Sequence, residues 1–361
     1  MKNHPLSLSA RVLFAFAFSL FSMVLYAQST ISCSQSTSAN LTNSSPVNTF
    51  LLSANNNDRV RIRAYSFVAG LNLRIEVRSP DNSVSLGVFF ANNGLVDIQE
   101  LTLGAGNGQY RILVSDAESN TTGTYNISVQ GLNKTTCASL VSCSASSSGS
   151  YFYSAAIEGK YLVASAGDVL RLRFYFNDPN PEWRLEVRRP DGTLHALLAK
   201  NGSGLIDTTM LLPAAGNWFF YLYDEDGDEA NTTHNYNYAF QIMNKTTCAS
   251  QVSCSASSSG SYYYSAAIEG KYLAATAGDV LRLRFYFNDP NPEWRLEVRR
   301  PDGTLHALLA KNGSGLIDTT MLLPAAGNWF FYLYDEDGDE ANTTHNYNYA
   351  FQILNKTTCA S

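Results

Sequence analysis

Histidine is scarce in this chain: there are five in 361 residues, and His4 lies in the first few positions. No His-Glu-x-x-His, Gly-x-Ser-x-Gly or glycine-rich phosphate loop occurs, so the motifs of zinc proteases, serine hydrolases and nucleotide enzymes are missing. Charge is also thin: 16% of residues are charged, the net charge is −6, and no basic run interrupts the sequence. A nucleic-acid partner needs a basic stripe to neutralise phosphates, so none is expected. No segment carries a long 3.6-residue period, which argues against helical domains. The one long apolar run, Val12 to Leu25, is about 14 residues where about 20 are needed to span a bilayer. These absences lead to the expectation of a protein that is not an enzyme and has no membrane span.

Lys2 and Arg11 precede that apolar run, and Tyr26-Ala27-Gln28 follows it. A charged start, a short apolar stretch and a small residue make a secretory signal peptide, with cleavage expected after Ala27. The product is then secreted, or held at the cell surface or in the periplasm.

The rest is repetition. Cys143 to Ser250 and Cys254 to Ser361 differ only at Phe152/Tyr263, Val163/Ala274, Ser165/Thr276 and Met243/Leu354. A diverged third copy runs from Cys33 to Cys137. The chain divides into a signal peptide (1–27) and modules one (28–139), two (140–250) and three (251–361), so any function fits one module or arises from having three. The cysteines fall near the two ends of every module. Pairing across the junctions (Cys137 with Cys143, Cys248 with Cys254) strands Cys33 and Cys359. Pairing within modules (Cys33–Cys137, Cys143–Cys248, Cys254–Cys359) satisfies all six, and an exported protein forms disulfides readily. The junctions Ala138–Ser142 and Ala249–Ser253 reach roughly 20 Å at full extension, which favours a semi-rigid rod.

Within module two, Asp168 to Phe176 alternates strictly, with Leu170, Leu172, Phe174 and Phe176 on one side and Arg171, Arg173 and Tyr175 on the other. That period of two is a strand with one buried face. Trp183 to Arg188 repeats it, with Trp183, Leu185 and Val187 inward. Pro190-Asp191-Gly192 supplies a turn. Trp218 to Tyr223 and the stretch through Tyr236, Tyr238, Phe240 and Ile242 give further strands. Module one keeps the phase, with Val60 and Ile62 inward and Arg61 and Arg63 outward. The fold class is all-β: tandem antiparallel β-sandwich modules, each closed by a disulfide between its ends.

The order Ala166-Gly167-Asp168-Val-Leu-Arg-Leu, then Leu185-Glu-Val-Arg-Arg-Pro-Asp-Gly192, then Leu212-Pro-Ala-Ala-Gly216 resembles the bacterial pre-peptidase C-terminal (PPC) domain. Module one matches through Asn57-Asp58, Val77-Arg-Ser-Pro-Asp81 and Gly108-Gln-Tyr110. The resemblance implies a compact jelly-roll-like sandwich, usually appended to secreted peptidases or other exported enzymes. Some members of that family are similar to collagen-binding domains that need calcium. Two departures stand out: no peptidase domain accompanies the modules in this sequence, and each module carries a flanking cysteine pair.

Two places could carry chemistry. The acidic loops Asp224-Glu-Asp-Gly-Asp-Glu229 and Asp335-Glu-Asp-Gly-Asp-Glu340 place Asp224, Asp226, Asp228, Glu229, Asp335, Asp337, Asp339 and Glu340 around a glycine, where they could wrap Ca2+. The other reading is a solvated hairpin loop that keeps an edge soluble. The second place is the outward face: Arg171, Arg173, Tyr221 and Tyr223, repeated as Arg282, Arg284, Tyr332 and Tyr334. Aromatic rings beside arginines can stack on sugars or anchor a protein contact. Equally, neighbouring structure could cover that face. His195 and His306 are expected in a turn or strand end, and His234 and His345 in polar loops.

The function expected is non-catalytic binding or adhesion, with repeated modules engaging a repetitive polysaccharide or matrix protein multivalently. The alternative is a set of passive spacers, or modules that assist secretion of enzymes.

Overall fold

The computed structural model describes residues 28–152, 154–227, 232–338 and 343–359. The expected signal peptide lies outside the described residues.

Module one contains β1 (Gln28–Thr30), β2 (Gln35–Leu41), β3 (Val47–Ala54), β4 (Asp58–Tyr65), β5 (Leu73–Arg78), β6 (Ser85–Phe90), β7 (Leu95–Leu103), β8 (Gly108–Asp116) and β9 (Gly123–Gly131). Module two contains β10 (Ser139–Leu140), β11 (Ser144–Tyr151), β12 (Glu158–Ala164), β13 (Asp168–Phe176), β14 (Glu182–Arg188), β15 (Leu194–Asn201), β16 (Gly204–Leu212), β17 (Gly216–Asp224) and β18 (His234–Ile242). Module three repeats the series as β19 (Ser250–Gln251), β20 (Ser257–Tyr262), β21 (Glu269–Ala275), β22 (Asp279–Phe287), β23 (Glu293–Arg299), β24 (Leu305–Asn312), β25 (Gly315–Leu323), β26 (Gly327–Asp335) and β27 (His345–Ile353).

Each module is a sandwich of two sheets. In module two these are the five-stranded β10-β12-β17-β14-β15 and the four-stranded β11-β18-β13-β16, and modules one and three use the same order. All pairings are antiparallel except β1/β3, β10/β12 and β19/β21. The two-residue strand β10 lies inside the Cys137-to-Cys143 junction, so that link is built into the sheet of module two.

The phase read from the sequence holds. Leu170, Leu172, Phe174, Phe176, Trp183, Leu185, Val187 and Trp218 form one buried core in module two, and Phe176 stacks on Trp183 with ring centroids 4.2 Å apart. Separate clusters of the same kind fill modules one and three. The disulfides are Cys33–Cys137, Cys143–Cys248 and Cys254–Cys359, so every module closes on itself. Closing a loop of this length stabilises by up to about 4.7 kcal/mol in the chain-entropy model. Three disulfides fit an oxidising compartment. Among the described residues no helix is long and apolar enough to cross a membrane. The Pro-Asp-Gly turn has Gly192 at φ +83°, in the left-handed region that favours glycine, and module one places Asn82 there at φ +63°.

Candidate functional site

The outward arginines of one module meet the outward tyrosines of the next. β4 aims Arg61 and Arg63 away from the core of module one because the pleat sends alternate side chains to opposite faces. Arg61 donates from Nε and Nη2 to Asp97, at 2.9 and 2.5 Å, and from Nη1 to Glu186 of module two at 2.6 Å. Its guanidinium lies 3.8 Å from the centre of the Tyr223 ring, and the Tyr223 hydroxyl donates to the same Glu186 oxygen at 3.1 Å. Arg63 donates to the Glu225 carbonyl at 2.8 Å, and Tyr221 to the Gly131 carbonyl at 2.8 Å. Arg188 completes the set, holding Glu186 at 2.6 Å and Glu100 at 2.8 Å.

The second junction repeats the first. Arg171 bridges Asp207, at 2.9 and 2.6 Å, and Glu297 at 2.5 Å, and stands 3.7 Å from the centre of Tyr334. Arg173 donates to the Glu336 carbonyl at 3.1 Å and to the Asp335 carbonyl. Tyr334 donates to Glu297 at 3.0 Å and Tyr332 to the Ile242 carbonyl at 3.3 Å. Apolar surface surrounds both sets: Leu132, Ile157 and Phe219 at the first junction, Ala239, Met243, Ile268 and Phe330 at the second.

Arg61, Arg63, Arg171 and Arg173 are buried, as are Glu186 and Glu297. Burial works against the charge of Arg61 and Arg171, but Asp97 and Asp207 outweigh it and hold both above the usual guanidinium range. Arg63 and Arg173, more deeply enclosed, are lowered by burial. Tyr221, Tyr223, Tyr332 and Tyr334 are all raised, chiefly because a phenolate would be buried. Such a network is worth little against an apolar replacement of both partners, but removing one partner leaves a buried charge uncompensated.

The structure therefore divides the residues expected to form a ligand face. Arg171, Arg173, Tyr221, Tyr223, Tyr332 and Tyr334 are packed between modules rather than displayed. Only Arg282 and Arg284, on β22, remain exposed, sharing Asp318 at 2.7 and 3.3 Å. The residues the sequence reading missed are the glutamates: Glu186 and Glu297 sit on outward positions of β14 and β23 beside arginines of their own strand. Their signal was a carboxylate set between two arginines of one outward row, Arg184, Glu186 and Arg188, repeated as Arg295, Glu297 and Arg299.

The acidic loops are not hairpin loops, because β17 and β18 belong to different sheets and the loop crosses between them. Asp224 is buried at its start and accepts from the Glu182 amide at 2.8 Å, and Asp335 does the same for Glu293 at 2.7 Å. Asp226 and Asp337 are exposed, while Asp228, Glu229, Asp339 and Glu340 lie outside the described residues. Among the described residues no group of three His, Cys, Asp or Glu side chains that could hold a metal is brought together. His234 and His345, expected in polar loops, open β18 and β27 and are buried, with Nδ1 2.7 Å from Asp178 and Asp289 respectively. Each pins the loop between β13 and β14, or between β22 and β23, to the start of β18 or β27.

No protein-family model and no curated protein matches the chain. Among solved structures it is similar to the pre-peptidase C-terminal domain of a collagenase from Bacillus anthracis, at 15% identity and TM-score 0.26, over 29% of this chain and 95% of that one. It is also similar to PliG, a periplasmic inhibitor of g-type lysozyme from Aeromonas hydrophila, at 18% identity and TM-score 0.23, over 29% and 96%. The tandem CBM22-1-CBM22-2 domain of Paenibacillus barcinonensis Xyn10C is similar at 9% identity and TM-score 0.19, over 54% and 83%.

Proposed function

We propose that this is an exported, non-catalytic binding or adhesion protein whose three sandwiches are locked in a row to engage a repetitive extracellular target, a polysaccharide or a matrix protein. The observation that carries the reading is the repeated junction. The same arginine, glutamate and tyrosine set closes twice, so equivalent surfaces recur at a set spacing and orientation. A periodic target can then be engaged at several sites for the ordering cost of one. Because the junctions consume the aromatic stripe, contact falls to surfaces open in every module. One is the sheet edge, where Val88 and Phe90, then Leu194 and Leu197, then Leu305 and Leu308, are exposed on β6, β15 and β24.

The burial of the arginine–tyrosine face also supports a second reading, in which the row is a spacer between other parts of an exported assembly. Incubating the protein with insoluble polysaccharides and with collagen, in Ca2+ and in EDTA, separates the two. Retention on one matrix at low micromolar protein, lost when Leu197 and Leu308 become lysine, supports binding. Passage through every matrix in both buffers supports the spacer.

A further inference from the structure

The face that modules one and two use to hold their successors is present again on module three, and among the described residues nothing covers it. In module two Arg173 is fully buried, whereas the side chain of its equivalent Arg284 is 49% exposed. Met243 is buried at the second junction, and its equivalent Leu354 is 48% exposed. Arg284, Tyr286, Leu316, Asn348 and Ala350 line an open groove of ≈ 260 Å³. At the second junction the corresponding place takes the loop after β26: a side chain on Gly338 would stand 3.6 Å from both Arg173 and Leu205. The free face is also short of a carboxylate. Arg282 and Arg284 share Asp318, whereas Arg171 has both Asp207 and Glu297.

We propose that this face is a third socket, and that it receives the five-stranded sheet of another module of this type, one bearing glutamate and tyrosine at the positions of Glu297 and Tyr334. Charge complementarity and two filled copies of the same socket define that partner. A second copy of this chain does not supply it. The acceptor face of module one has Ser115 in place of Tyr223 and Leu113 in place of Tyr221. It also carries Asn82 where modules two and three have glycine, and a Cβ at Gly192 or Gly303 would stand 3.0 Å from the Cβ of Asn133 or Asn244 of the preceding module. Two sockets facing each other would bring four guanidinium groups together around two carboxylates.

The probe is residues 140–361 carrying Arg282→Glu, which disables its own socket. Removing module one uncovers Glu186, Tyr221 and Tyr223, and the two remaining modules keep their own cores and disulfides. The full chain is expected to bind this probe one to one in sedimentation velocity and calorimetry. Arg282→Glu in the full chain, or Glu186→Ala in the probe, should weaken binding roughly thirtyfold or more, as loss of one member of a buried charge pair does. No complex at about 100 μM, or binding indifferent to both substitutions, overturns the proposal. Self-association of the unmodified full chain through module one would assign the face to a second copy and overturn it too. A second test needs no fragment: Asn82→Gly with Leu113→Tyr and Ser115→Tyr rebuilds the acceptor on module one of the full chain. That variant should form head-to-tail oligomers that Arg284→Glu abolishes. A variant that melts like the parent and stays monomeric overturns the proposal.

Discussion

Arg171 of module two donates to Glu297 of module three at 2.5 Å, while the same glutamate accepts the Tyr334 hydroxyl at 3.0 Å under the arginine's guanidinium. One carboxylate oxygen thus ties together two modules whose main cores are separate.

Arg171→Ala should cost about 3–5 kcal/mol in denaturant unfolding, because Asp207 and Glu297 lose a common buried cation. Arg282→Ala alters the equivalent residue of module three, whose side chain is 44% exposed, and should leave the unfolding midpoint where it is. Equal losses at the two positions would show that the junction contributes nothing beyond the module.

Met243→Ala is expected to cost about 2–5 kcal/mol, the usual range for emptying a buried site of that size. Leu354→Ala, at the matching exposed position, should be silent in the same thermal and denaturant melts. The pair tests apolar packing at the junction separately from its charges.

Alkaline titration reads the junction tyrosines. In the unfolded chain they ionise near 10, and burial raises Tyr221, Tyr223, Tyr332 and Tyr334 above that value in the folded one. The stability they contribute is therefore complete below about pH 10 and falls as pH rises toward the raised folded values, because the unfolded chain releases its protons first. The phenolate absorbance should rise in two stages, exposed tyrosines first and the junction set only as the modules separate. Tyr125 and Tyr347 in the module cores are raised by burial as well, so open junctions in solution would show as a late stage reduced to the core rings.

Cys254→Ser with Cys359→Ser opens the loop of module three, and should destabilise that module by up to about 4.7 kcal/mol. Limited proteolysis should then cut module three first, with modules one and two surviving as one resistant fragment. Simultaneous loss of all three would show that the row unfolds as one unit.

The parts legible in the sequence were those decided by local pattern. Strict alternation in Asp168–Phe176 and Trp183–Arg188 located two strands and their buried faces, because the pleat allows one assignment once an apolar row is seen. Strands β11 and β15 were not legible. The first is the serine-rich Ser144–Tyr151, and the second, Leu194–Asn201, carries apolar residues on both sides at a sheet edge. Neither shows a period. The burial of His234 was hidden as well, because its partner Asp178 is 56 positions away.

The sequence by itself determined the module: its cysteine pairs, its strand phase, its inward tryptophans and its outward arginines. What faces the arginines, only the tertiary structure decided. The nine residues of β13 and β22 are identical, yet Arg173 is fully enclosed and Arg284 stands open. Alternation fixes which side of a strand a residue takes, a property of the backbone. Whether that side meets water or another sheet depends on a carboxylate and a ring more than a hundred residues further along the chain, a separation that no local pattern spans.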